Sequence, residues 1–141
     1  MHFMQMKKNH FFTLFLVLIL GSMQLGMSAI NYDDITEEVT QAIREGNSRK
    51  LAEHFGDNVD LVLPDNDGTF SKAHAELILR NFFSDNRPET FTINHQRASR
   101  DGSPYVIGTL ETRDNKSYRI YFLIKKVSDN YFIHQLQFEL Q

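Results

Sequence analysis

The chain has 141 residues, 41% hydrophobic and 23% charged, with no cysteine and a formal net charge of −3, a length that predicts one domain. The composition excludes disulfides, thiolate metal sites and a lipid-bearing cysteine, and an apolar content this high argues against intrinsic disorder. All eighteen acidic but only thirteen of the fifteen basic residues follow Ala29, so the domain is acidic and nucleic acid is not expected as a partner.

The first segment reads as an export signal. Lys7 and Lys8 give a positive start, Phe11 to Leu20 an apolar run, and Gly26 to Ala29 a stretch of mostly small residues. A permanent span takes about 20 apolar residues, and Gly21, Ser22 and Gln24 interrupt this one. We expect cleavage near Ala29, with Met1 or Met6 as the start. Residues 1–29 are then a cleaved signal peptide and residues 30–141 a single α+β domain, periplasmic or secreted, with no stable membrane anchor after cleavage.

From Asp34 the pattern is helical, with Ile35, Val39, Ala42 and Ile43 on one face. Asp34 and Glu37 resemble a capping box, and Gly46 ends the helix. Asn47 or Ser48 opens a shorter helix with Leu51, Ala52 and Phe55 inward, stopped at Gly56. Val59 to Leu63 reads as a strand, Pro64 and Asp65-Asn66-Asp67-Gly68 as its turn, and Thr69-Phe70 as a short return. Ser71 caps a third helix whose Ala75, Ile78, Leu79, Phe82 and Phe83 form a wide apolar stripe, ended by Asn86-Arg87-Pro88.

Four strands complete the chain: Thr90 to Arg97, Tyr105 to Thr112, Ser117 to Val127 and Tyr131 to Leu140. Turns at Asp101-Gly102, Asp114-Asn115 and Asp129-Asn130 make neighbours antiparallel, because a parallel return needs a dozen or more residues. Helices first and a meander last predict a cone-shaped α+β domain, three helices of the N-terminal half packed on one face of a curved antiparallel sheet.

That order is similar to the nuclear-transport-factor-2-like, or cystatin-like, superfold. The run Phe70-Ser71-Lys72-Ala73-His74-Ala75-Glu76 resembles a more specific group, together with Leu79, Phe82-Phe83, His95, Gly108-Thr109-Leu110 and Tyr118-Arg119-Ile120-Tyr121-Phe122. This group is the exported bacterial family called domain of unknown function 4783, and the resemblance runs from about Asp34 to Leu140. It implies fold and export and adds no catalytic residues.

Cone-shaped relatives such as ketosteroid isomerases place an acid or base among apolar side chains. Strict alternation puts His95 on a face with Phe91 and Ile93, and His134 with Phe132, Leu136, Phe138 and Leu140. His95 or His134 as general base, with Tyr118 as hydrogen-bond donor, forms the weak enzymatic candidate site. No second carboxylate shares those faces, Glu111 and Glu139 included, and core histidines bonded to backbone explain the same pattern. Asp65-Asn66-Asp67-Gly68 resembles the start of a calcium loop, but His74 stands where the closing Glu belongs, so no metal and no cofactor are expected.

Tyr118, Ile120, Phe122 and Ile124 share one face of their strand, and Arg119, Tyr121, Leu123 and Lys125 the other. Two partly apolar faces suggest helices over one and a second subunit over the other, hence a homodimer through the sheet. On a monomer, Leu123 and Ile133 would be scattered surface residues. The leading expectation is an exported, non-catalytic module that binds a small apolar ligand or a protein partner. The alternatives are an isomerase- or dehydratase-like enzyme using a pocket histidine, and a structural dimer of the cell envelope.

Overall fold

Residues 31–141 are described in the computed structural model; the expected signal peptide lies outside the described residues. In chain order the elements are α1 (Tyr32–Glu45), α2 (Ser48–Ala52), β1 (Phe55–Leu63), β2 (Asn66–Ser71), α3 (Lys72–Asp85), β3 (Pro88–Ala98), β4 (Pro104–Thr112), β5 (Ser117–Val127) and β6 (Asn130–Leu140). The strands form one curved sheet in the order β2-β1-β6-β5-β4-β3. All neighbours are antiparallel except β1 and β6, which run parallel, as a crossover with a helix and four strands between them allows.

Helix α1 buries the predicted stripe of Ile35, Val39, Ala42 and Ile43. Its N-cap is Asn31, three residues before the Asp34 expected, and the Asp34 carboxylate accepts the Asn31 N–H at 3.5 Å. The helix stops at Gly46, whose left-handed φ of 64° lets the Asn47 N–H reach back to the Ala42 carbonyl at 2.9 Å. The Asn47 side chain then accepts the Lys50 N–H at 3.0 Å and starts α2. That helix is shorter than its sequence suggested: Phe55 and Gly56 belong to β1, where the Phe55 ring is buried from the sheet.

The first hairpin also differs from expectation. Leu63 pairs with Asn66, so Pro64-Asp65 is the whole turn, and Asn66 to Gly68 are strand. Helix α3 starts where Ser71 accepts the His74 N–H at 3.3 Å, and it buries Ala75, Leu79 and Phe83. Phe82 sets its edge against Tyr118 at 5.2 Å and Phe138 at 4.8 Å between ring centroids, joining α3 to the meander. The last turn is Ser128-Asp129, one residue before the predicted pair, because Val127 pairs with Asn130.

Phe55, Leu61, Leu110, Ile120, Phe122, Ile124, Leu136 and Phe138 fill the space between helices and sheet and are fully buried. Beside them Phe91 lies so close over Gly108 that a Cβ there would stand 2.6 Å from the ring and 2.7 Å from the Thr92 carbonyl oxygen. The glycine is required by this close approach.

Two bulges decide which side chains face that core. Ile93 pairs with Gly108 but His95 with Ile107, leaving Asn94 as an extra residue. Leu123 pairs with Gln135 but Ile124 with Ile133, leaving His134 extra. One extra residue reverses alternation beyond it. His95 therefore shares the outer face with Ile107, and Ile133, expected at the surface of a monomer, is fully buried.

Candidate functional site

The three residues suggested by sequence are not brought together. His95 and His134 are exposed on the outer side of the sheet, a correction to the alternation that placed both among apolar side chains. The His134 Nε2 stands 4.0 Å from the Asp60 carboxylate, itself exposed. Tyr118 does face inward, buried to 4% exposure, and donates its hydroxyl to Asn86 Oδ1 at 2.9 Å. Lys116 Nζ donates to the same oxygen at 3.1 Å, and Asn86 Nδ2 donates to the Phe82 carbonyl at 3.0 Å. Burial pushes the Tyr118 phenol up, while the hydrogen bond to Asp114 raises Lys116. The network latches the end of α3 to the β4–β5 hairpin and leaves the phenol committed to a neutral partner.

A different place in the fold has an unfilled requirement. An open groove of about 1310 Å³ lies between α1, β3 and the start of β6. Ile35, Ile93, Tyr131 and Phe132 give it apolar surface. Asp33, Asp34, Glu37, Glu38 and Asp129 set carboxylates around it. The basic residue among its lining, Arg44, is already occupied, donating to the Phe91 carbonyl at 3.0 Å and to Gln41 at 3.3 Å. Lys126 stands over the Tyr131 ring, 5.7 Å from its centroid. His54, also lining, holds Nε2 3.2 Å from Glu38 with its side chain 14% exposed, and burial lowers its pKa from 6.5.

Two threonines a turn apart on α1 make the contrast that singles out this groove. The Thr36 hydroxyl donates to the Tyr32 carbonyl at 2.9 Å, a common way for a helical threonine to satisfy itself. Thr40 is a lining residue of the groove, only 6% exposed, and its hydroxyl oxygen is buried without a hydrogen-bond partner. A buried hydroxyl left unpaired costs roughly 1–3 kcal/mol. The other clefts lack this feature. Between the helices a groove of about 760 Å³ pairs its own charges, Lys50 with Glu45 and Arg80 with Glu76. Sequence reasoning passed over Thr40, and weighed His54 only as a metal ligand lacking a second ligand four residues on. The legible signal was two threonines four apart beside an apolar stripe, flanked by acidic pairs.

Among the described residues no group of three or more His, Asp and Glu is placed to hold a metal ion, and no helix is long and apolar enough to cross a membrane. The model of a family described as domain of unknown function (DUF4783) matches residues 36–139. The chain belongs to the DUF4783 family. A DUF4783 protein from Bacteroides uniformis is 36% identical, with a TM-score of 0.70, over 76% of this chain and 97% of its own. A second, from Bacteroides ovatus, is 35% identical with a TM-score of 0.67, over 74% of this chain and 93% of its own. An NTF2-like protein of unknown function from Shewanella baltica is 10% identical, with a TM-score of 0.56 over 77% of this chain and 90% of its own, and at that identity the likeness concerns the fold. The DUF4783 chain thus has the nuclear-transport-factor-2-like architecture expected from element order. Among curated proteins none matches it.

Proposed function

We propose that this DUF4783 domain is an exported, non-catalytic binding module whose ligand lies in the groove between α1, β3 and β6. The carrying observation is the Thr40 hydroxyl, buried at the groove and unpartnered while its neighbour Thr36 is satisfied. Export rests on the leader grammar of residues 1–29. The binding reading is preferred to an isomerase or dehydratase because His95 and His134 face solvent and Tyr118 is engaged by Asn86. Carboxylates and hydroxyls beside Ile93 and Tyr131 suit a ligand that is partly polar, rather than the small apolar one considered from sequence.

Thr40→Val tests the premise. Valine keeps the shape and removes the orphaned group, so we expect the free protein to gain about 1 kcal/mol in denaturant unfolding; a loss of stability would mean that the hydroxyl serves the fold. Gln96→Trp, an exposed position on the groove, tests occupancy. Native mass spectrometry should find a species bound to the wild-type protein from its own compartment and absent from this variant. An identical bound species on both would remove the groove from the reading.

A second reading concerns the outer face of the sheet, and we propose that it forms a homodimer interface. Tyr105 pairs with Leu123 and Ile107 with Tyr121, the two tyrosine rings lie 5.8 Å apart, and these four residues are half-buried with no helix over them.

A further inference from the structure

Resting on the groove as a ligand site, we propose that its occupant is an extended peptide segment of another protein carrying lysine or arginine side chains. Five carboxylates surround the groove, whereas the Arg44 guanidinium is spent on Phe91 and Gln41. Asp33 and Asp34 lie in the first turn of α1, where acidic residues also favour the helix dipole. Glu37 and Asp129 have no such explanation: both are exposed and neither has an ion-pair partner among the described residues. The volume of about 1310 Å³ exceeds the roughly 300–1,000 Å³ of small-molecule sites, and the cleft is open along α1, as a chain segment requires.

The chemistry of such a segment matches the lining point by point. The aliphatic stems of lysine or arginine would lie along Ile93, Tyr131 and Phe132, with their charged ends at the carboxylates. A turn of the Thr40 side chain toward a peptide N–H or C=O passing α1 would give its buried hydroxyl the partner it lacks. Net negative charge around an apolar strip selects against acidic segments, which would meet like charges on desolvation.

Fluorescence anisotropy with a short labelled peptide of alternating lysine and leucine tests this, beside matched peptides with glutamine or glutamate in place of lysine. The basic peptide should bind saturably, the glutamate peptide should not, and Glu37→Lys with Asp129→Asn should weaken binding about tenfold. Raising salt from about 0.05 to 0.5 M should weaken it comparably without any substitution, and Thr40→Val should weaken it about threefold. Both substituted positions are exposed, and unchanged thermal unfolding will confirm that the variant folds. Equal binding of the glutamine peptide would overturn the charge selection while leaving the groove a peptide site. Equal displacement by spermidine would replace the peptide with a small amine. Failure of all three peptides, with the co-purifying species still lost in Gln96→Trp, would overturn this inference and leave the binding reading standing.

Discussion

At the scale of single residues, the histidine with a distinctive environment is one that alternation did not highlight. His54 sits at the junction of α2 and β1, its carbonyl accepting the Ile133 N–H at 2.7 Å, its ring largely enclosed and facing Glu38. Burial depresses its pKa, opposed by the Glu38 and Glu53 carboxylates and assisted by Lys72. A histidine depressed in the folded state contributes stability that is present above 6.5 and lost as pH falls through the folded value, because the unfolded chain takes up the proton first. Denaturant unfolding between about pH 7 and 5 should therefore show wild type losing stability that His54→Gln does not lose. Parallel pH profiles for the two proteins would assign the dependence elsewhere. Carboxylates act in a lower window: Asp101, held at about 2 chiefly by its hydrogen bond from Ser99, and Asp114, lowered by Thr112, stay ionised through that range.

At the scale of elements, the sheet owes its facing to two inserted residues and one missing side chain. Gly108 lies opposite Ile93, immediately before the Asn94 bulge, and its bare Cα admits the Phe91 ring and the Thr92 carbonyl. Gly108→Ala should cost about 1–3 kcal/mol, the range for overpacking a filled core, with both the ring and a backbone oxygen in the way. An unfolding midpoint equal to wild type would show that β3 can move aside and that its position is loosely held. The bulges also explain why element types were legible while two site residues were not. Alternating apolar residues and Asp/Asn/Gly punctuation mark β3 through β6 from sequence alone, but a bulge has no such mark at Asn94 or His134, both ordinary polar residues. Pairing partners on the neighbouring strand decide where the extra residue stands.

At the scale of the whole molecule, the helices cover one face of the sheet and leave Tyr105, Ile107, Tyr121 and Leu123 together on the other. Burial of the Tyr121 ring already raises its phenol pKa, and a stable dimer needs roughly 800 Å² from each partner. Light scattering at increasing concentration should give twice the chain mass for wild type and the single mass for Ile107→Glu. A wild-type protein that stays monomeric at about millimolar concentration would leave this face without a partner copy. The test is independent of the groove, which lies across the sheet against α1.

Sequence by itself determined the order and type of the elements, the inner stripes of α1, α3 and β5, the antiparallel meander and the family. Each depends on local periodicity and punctuation, which neighbouring residues carry among themselves. Only the tertiary structure decided that β1 runs parallel to β6, that His95 and His134 face outward, that Tyr118 is answered by Asn86, and that Thr40 is not answered at all. Each of those depends on a partner from a distant part of the chain, and a hydrogen bond or bulge across the sheet leaves no trace in the spacing of the residues that make it.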